Sequence, residues 1–410
     1  MKMPRVVVTG MGTVNPLGLN VEEFWSGLVA GKSGIGLITR FDASKFYVKV
    51  DGEVKDFAPT KYMDLKMVDR NPRAVQFGIA AAKEAISSAK LDMSQEIPER
   101  VGVSTGCMVE SDYIVRQGEL LDTRGPRRVE PLFIAKSSPS AASMRVGMML
   151  GAKGPNSSVN SLCASGADAI GTALNFIRLG YADVMLAGGA DSSLSPVGIA
   201  GIDMVGAVSR EADPLKASRP FDLNRNGFVY GEGAGILVLE SYEHARKRGA
   251  LVLAEVAGAG WSFDAYDQTA PAPEAEAFAV RTALENAGAK PEEVDYINAH
   301  GTSTKLNDAN ETRAIKMVFG KQSYEIPISS TKSMIGHIIT AAGAIEAITS
   351  IMIINKGIIH ATINYETPDP ECDLDYVPNV ARQAQVNVCL SNSFGLGGEN
   401  CCLVLKRFKK

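Results

Sequence analysis

The chain is poor in histidine and lacks the cysteine spacings that usually hold a metal. Only four histidines occur in 410 residues, at positions 244, 300, 337 and 360. The six cysteines, Cys107, Cys163, Cys372, Cys389, Cys401 and Cys402, contain no C-x-x-C pair, so no metal site is expected. In a chain this long they do not read as a disulfide framework either, and a reducing, cytoplasmic setting fits best. No apolar run reaches the roughly 18 to 20 residues needed for a membrane span. The segment Ile345 to Ile354 is short and interrupted by Glu346. Met1-Lys2-Met3-Pro4 leads straight into Val6-Val7-Val8, which reads as a strand rather than the apolar core of a signal sequence. The net charge of −4 offers no general attraction for nucleic acid. A dinucleotide-binding turn is also missing. Gly10-Met11-Gly12 follows a strand, but position 15 is Asn and Pro16 follows it. There is no phosphate-binding P-loop, low-complexity tract or long linker.

What is present is alternation. Short β-rich runs recur at Arg5–Thr9, Val101–Ser104, Val184–Ala187, Ile236–Leu239, Leu251–Val256, Tyr296–Asn298, Ile326–Ser329 and Cys402–Leu405. Such runs read as strands covered on both faces. Apolar spacing of three and four predicts helices over Asn71–Ala89, Ala164–Leu179, Glu274–Ala287 and Ala341–Asn355. The pattern is that of α/β layers. The second and fourth of these helices carry few charges and are apolar nearly all round, so they belong in a core. One lies in each half, which suggests a duplicated fold around paired central helices. The length also favours two similar lobes over one simple core. Ser209 to Asn226 is polar and turn-rich and reads as an excursion between strands.

Cys163 lies in Asn160-Ser161-Leu162-Cys163-Ala164-Ser165-Gly166, where a strand-like segment meets the first apolar helix. A helix N-terminus carries partial positive charge and free N–H groups, which lower the pKa of a thiol and make it a nucleophile. By itself the residue reads equally as a buried structural cysteine. His300, in Ala299-His300-Gly301-Thr302, follows a predicted strand, and His337, in Ile335-Gly336-His337, precedes the second apolar helix. Both positions suit reactive groups, and both suit hydrogen-bonded core histidines. His244 reads as a solvated helix residue and His360 as a strand residue. Gly395-Leu396-Gly397-Gly398 after Phe394 can aim backbone N–H groups at an oxyanion or form a plain turn.

Taken together and in order, these segments carry a resemblance. Its landmarks are Cys163-Ala164-Ser165-Gly166, then Arg219-Pro220-Phe221-Asp222 with Gly231-Glu232-Gly233-Ala234. His300-Gly301-Thr302-Ser303-Thr304 follows with Asp308 and Glu311, then Lys332-Ser333 with Gly336-His337, then Asn392-Ser393-Phe394-Gly395. From Val6 to the last strand the chain resembles the elongating β-ketoacyl-acyl-carrier-protein synthases of the thiolase superfamily, most closely those of type II. The resemblance implies a thiolase-like, five-layered α/β/α/β/α fold of two duplicated halves, residues 1–250 with the nucleophile and 251–410 with the histidine pair. It implies that Cys163 accepts the acyl chain and that His300 and His337 flank the thioester oxygen of a malonyl unit. Lys332 and Glu346 would orient and polarise the histidines, with Asp308 and Glu311 in support. The N–H groups of Cys163 and Phe394 would form the oxyanion hole, with Phe394 also acting as a gate. The implied reaction is a decarboxylative Claisen condensation in fatty acid elongation, by a homodimer that needs no cofactor beyond the phosphopantetheine arm of acyl carrier protein.

Some positions depart from the family pattern. Leu162 stands where Ala is common, and the segment Cys107-Met108-Val109-Glu110 stands where small residues and an Ile are usual. Ile202 takes a common Phe position. Together with Phe133, the residues Met108, Leu162 and Ile202 are expected to line the acyl pocket. Asp267 replaces a frequent His, Thr340 a small residue, and Leu396 and Glu399 replace Phe and Thr. Clustered around the pocket and gate, these changes point to an altered substrate, with a specialised lipid or polyketide ketosynthase as the alternative reading. A non-condensing acyltransferase or thioesterase would use Cys163 with one histidine and would need neither a second histidine nor Lys332. A catalytically silent partner subunit would need none of the four. Lys66, Arg70 and Arg73, with Arg127 and Arg128, are expected to form the patch that docks an acidic carrier protein. Each also suits a solvated charged face.

Overall fold

The computed structural model describes residues 3–108 and 110–409. Met1 and Lys2 of the N-terminal segment, and Val109 of the segment assigned to the acyl pocket, lie outside the described residues. Ten strands form one mixed sheet: β1 (Val6–Val14), β2 (Val101–Cys107), β3 (Asn156–Val159), β4 (Val184–Asp191), β5 (Gly233–Ser241), β6 (Ala254–Phe263), β7 (Tyr296–Asn298), β8 (Ile328–Ser329), β9 (Val388–Phe394) and β10 (Glu399–Lys406). Their order is β8-β7-β9-β10-β6-β1-β5-β4-β2-β3.

That order is one arrangement used twice. The first five strands run outward from the centre as β1-β5-β4-β2-β3, and the next five as β6-β10-β9-β7-β8. The directions match as well. β1/β5, β4/β5, β6/β10 and β9/β10 are antiparallel, whereas β2/β4, β2/β3, β7/β9 and β7/β8 are parallel. The two sets meet where Val7 pairs with Glu255 and Val8 with Ala254.

Helix α1 (Arg73–Ala89) covers β1 and β5 on one outer face, and α3 (Pro273–Asn286) covers β6 and β10 on the other. Between the halves lie α2 (Ser165–Arg178) and α4 (Ile339–Lys356), which pack on each other. Outer helices, half-sheet, central helices, half-sheet and outer helices make up the five layers of a thiolase-like fold. In β1, a methyl group added to Gly10 or Gly12 would come within 2.1 or 2.0 Å of the Ala85 or Ala81 carbonyl of α1. Those glycines therefore serve packing and not a phosphate. The central helices meet through a reciprocal contact. A side chain on Gly166 would strike the Ala344 backbone at 2.8 Å, and one on Gly343 the Ala167 backbone at 2.7 Å.

From Ile339 to Ile354, every residue of α4 is buried. By length and composition this helix suffices to cross a membrane, longer than the sequence segment suggested, but here it fills the core between the halves. No regular element lies between Gly206 and Phe228, as the turn-rich composition there implied.

Candidate active site

Three elements bring the reactive side chains together. Cys163 lies in a 3-10 turn, Leu162–Ala164, that runs directly into α2. Leu162 adopts φ +47°, a left-handed conformation that is costly for a side chain of this kind. Ser165 holds the turn: its Oγ donates to the Leu162 carbonyl at 2.7 Å and accepts from the Ser161 N–H at 3.0 Å. His300 follows β7. The Glu311 carboxylate accepts from the N–H groups of His300 and Gly301, both at 2.8 Å, and from Asn392 Nδ2 at 3.1 Å. His337 precedes α4. Its N–H donates to the Val229 carbonyl at 2.7 Å and its carbonyl accepts from the Gly231 N–H at 2.9 Å.

The Cys163 sulfur and one ring nitrogen from each histidine lie within 4.8 Å of one another. The two imidazoles are 5.3 Å apart and nearly perpendicular, at 85°. Phe394, at the end of β9, sits 5.9 Å from the His300 ring, and Phe228 sits 5.3 Å from that of His337. All five residues line one cavity of about 480 Å³, together with Thr302, Thr304 and the loop from Gly395 to Gly398.

Lys332 Nζ lies 3.3 Å from His300 Nδ1 and pairs with Glu346 Oε1. A lysine ammonium only donates, so Nδ1 accepts and the ring proton sits on Nε2. Neither ring nitrogen of His337 has a partner among the described residues. Burial, with the Lys332 charge behind it, holds both imidazoles well below the usual histidine range, so both are neutral. Burial raises Glu346 to about 7 against the pull of Lys332.

The sulfur departs from the sequence expectation. Burial pushes the Cys163 thiol above its ordinary value, despite the Leu396 N–H and the Lys332 charge pulling the other way. The head of the helix does not offset the loss of water, so the resting group is a thiol and not a thiolate.

The remaining site residues divide. Asp308 accepts from the Phe221 N–H at 2.7 Å and the Ser303 N–H at 3.2 Å. It anchors the excursion before β5 and does not touch the histidines. Buried Arg225, which sequence reasoning passed over, ties the same region together through Asp369, Asp308 and the Thr304 carbonyl. Met108, Phe133, Leu162 and Ile202 are not among the residues lining the cavity. Ile202 and Cys163 each pack against one apolar cluster that includes Ile199 and Phe228, and Phe133 packs on Tyr113. Lys66, Arg70, Arg127 and Arg128 are exposed. Arg73 is not a free cation: it pairs with the fully buried Glu232 at 2.8 Å, beside Arg40, and stacks on Phe77. Asp267 and Leu396 border the cavity, whereas Glu399 lines a second cavity of about 330 Å³ with Asp168 and Trp261. Thr340 donates to buried Asp191 at 2.8 Å. His244 is not simply solvated, since it bridges Glu240 and Glu96. His360 is buried just beyond a two-residue strand, near the Ser329 and Thr331 hydroxyls.

The chain matches the family description "Beta-ketoacyl synthase, N-terminal domain" over residues 3–245 and "Beta-ketoacyl synthase, C-terminal domain" over residues 253–366. It is 45% identical over 409 residues to a 3-oxoacyl-[acyl-carrier-protein] synthase 2 of Synechocystis, covering 99% of this chain and 98% of the relative. It is 46% identical over 411 residues to the synthase of the same description from Coxiella burnetii, covering 99% of each. A crystal structure of a β-ketoacyl synthase from Burkholderia phymatum superimposes with a TM-score of 0.93 at 33% identity, over 99% of this chain and 100% of that one. A type II polyketide ketosynthase solved in complex with its acyl-carrier protein and bound to the hexaketide superimposes at 0.91 with 37% identity, over 100% of each chain. Shared along nearly its whole length, this likeness makes the chain a member of the β-ketoacyl synthase family.

Proposed function

We propose that this chain catalyses the decarboxylative Claisen condensation of fatty acid elongation. An acyl chain held on Cys163 joins a malonyl unit delivered on acyl carrier protein, giving β-ketoacyl-acyl-carrier protein and carbon dioxide. The observation that carries the reading is the approach of one sulfur and two neutral imidazole nitrogens within 4.8 Å, with Lys332 behind His300.

The roles follow from the chemistry. The Cys163 thiol passes its proton to an unpaired ring nitrogen of His337 as the sulfur attacks an acyl thioester, and the carrier thiol leaves with that proton. Malonyl then enters and loses carbon dioxide, and its carbonyl oxygen becomes an enolate oxygen. Nε2–H of His300 and a ring N–H of His337 donate to that oxygen, stabilising charge where it develops. The enolate carbon attacks the acyl carbonyl on Cys163. Backbone N–H groups of Cys163 and Phe394 receive the oxyanion, and the sulfur departs as a thiolate that takes one proton from solvent to return to the thiol. Lys332 and Glu346 hold the His300 tautomer, and Glu311 holds its backbone. The reaction needs no free cofactor, because its substrates travel on the carrier's phosphopantetheine arm.

Several finer points belong to the same reading. Residues 1–250 and 251–410 are the two units of the duplication, supported by their repeated strand order. The chain works as a homodimer in the cytoplasm, and all six of its cysteines are free. Exposed Lys66, Arg70, Arg127 and Arg128 meet the acidic carrier. Met108, Phe133, Leu162 and Ile202 shape the acyl end of the site once two copies associate. One observation stands on the side of a specialised polyketide or lipid role, the 37% identity to a ketosynthase bound to a hexaketide, against 45% and 46% to the two 3-oxoacyl-[acyl-carrier-protein] synthase 2 relatives.

The deciding experiment is mass spectrometry after incubation with acyl-carrier and malonyl-carrier substrates. Acyl mass on the Cys163 peptide and a product longer by two carbons support elongation. Acylation without an elongated product points to a non-condensing transferase, and the absence of both signals sinks the reading. Varying acyl length and oxidation state separates a saturated-chain enzyme from a polyketide one.

A further inference from the structure

The three catalytic side chains also form a donor set. A tetrahedral zinc ion holds thiolate sulfur at about 2.3 Å and imidazole nitrogen at about 2.0–2.1 Å, which places its ligand atoms about 3.3–3.7 Å apart. Here they lie within 4.8 Å. That limit exceeds the tetrahedral spacing by about 1 Å.

Two features go beyond proximity. His337 is 1% exposed, yet neither of its ring nitrogens has a hydrogen-bond partner among the described residues. A buried polar ring in this state gains from a ligand that takes a nitrogen lone pair. All three side chains line the cavity of about 480 Å³, which leaves room for water as a fourth ligand. Three protein ligands plus one open position is how zinc is held at accessible sites. The nearby positive charge of Lys332 opposes a cation, but it is paired with Glu346; because it engages Nδ1 of His300, Nε2 carries the ring proton and becomes a ligand only once that proton moves.

We propose that Cys163, His300 and His337 capture a soft divalent cation, zinc foremost, and that capture shuts off condensation by occupying the nucleophile and both imidazoles at once. Binding rests on the geometry alone, whereas its inhibitory consequence rests on the function proposed above. The protons balance. The thiol proton leaves to solvent, the His300 ring proton moves from Nε2 to Nδ1, and Lys332 passes one proton to Glu346. Magnesium and calcium prefer oxygen donors and are excluded by the same donor set.

Cobalt(II) is a suitable probe, because a thiolate ligand gives it an intense near-ultraviolet charge-transfer band. Titration of the full chain with cobalt chloride should develop that band to an end point of one ion per chain. Zinc should abolish the band and magnesium should not. Zinc should also slow iodoacetamide alkylation of Cys163, followed by peptide mass, at least tenfold, and EDTA should restore the rate. Cys163→Ser and His337→Ala should each lose the band. Wild-type protein alkylated beforehand at Cys163 serves where a variant misfolds. Absence of the band, or equal alkylation rates with and without zinc, overturns the metal site. Condensation at full rate under saturating zinc overturns the inhibition. Zinc capture by a protein that, metal-free, forms no elongated product supports the metal site while removing the functional reading.

Discussion

Lys332 Nζ stands 3.3 Å from His300 Nδ1 while pairing with Glu346. The contact fixes which nitrogen of His300 can donate toward the cavity. Lys332→Met keeps the stem but removes the donor, so the His300 tautomer is no longer held. Condensation should fall by about 10²–10⁴-fold, the range for a positioned proton-transfer group. Acylation of Cys163 from an acyl thioester should fall far less. Separate single-turnover assays of acyl transfer and of condensation check this, and equal losses in both would contradict it.

The state of the nucleophile predicts its reactivity. With the thiol held above its ordinary value, alkylation of Cys163 by iodoacetamide should keep accelerating as pH rises past about 8.5, the usual value for free cysteine. A rate that levels off near neutrality would mean a preformed thiolate. Peptide mass mapping separates Cys163 from the five other cysteines, which are all buried.

His244 makes a pH-dependent contribution to stability with a definite sign. Its pKa is raised, first by the hydrogen bond to Glu240 and then by the charge of Glu96, against partial burial. A raised folded value means the stabilisation is fully present below the unfolded value near 6.5 and is lost as pH rises through the folded value. His244→Gln should therefore lower the melting temperature by about 1–3 °C at pH 6 and by less at pH 9. Buried His360, held down to about 4, has the opposite sign. Its stabilisation is complete above about 6.5 and is lost as pH falls toward 4. Melting curves of the His244 and His360 variants across that span check both signs.

The basic residues fall into two kinds. Arg127→Glu with Arg128→Glu should raise KM for carrier-bound substrate and leave a free thioester nearly unaffected, because both side chains are exposed. Arg73→Ala should do the reverse. It leaves buried Glu232 with Arg40 as its remaining arginine partner and should cost about 1–3 kcal/mol of stability with little change in carrier KM. Chemical denaturation and steady-state kinetics on the same variants distinguish the two kinds.

Much of this was legible in the residues. The four helices named from apolar spacing appear within about two residues of their expected ends, because their periodicity is strong. Two strands of the ten-stranded sheet were missed for identifiable reasons. Asn156–Val159 is an edge strand of alternating exposure, built largely from serine and asparagine. Val388–Phe394 is fully buried but carries Ser391, Asn392 and Ser393, which mask the apolar signal. The grouping of Cys163 with His300 and His337 came from motifs. The protonation of the sulfur did not, because local sequence shows the helix terminus but not what the rest of the chain packs around it. The pairing of Arg73 was hidden for the same reason, since Glu232 is 159 positions away in sequence.

The twofold repeat of the strand order has a consequence for how such a reaction centre can exist at all. Cys163 and His337 occupy matching stations, each on the way from the fifth-ranked outer strand of its copy into a central helix. One copy has kept sulfur at that station and the other imidazole. Severed from its sibling, each would be an inert half-tool, so the chemistry resides in the divergence between twins and not in either inheritance.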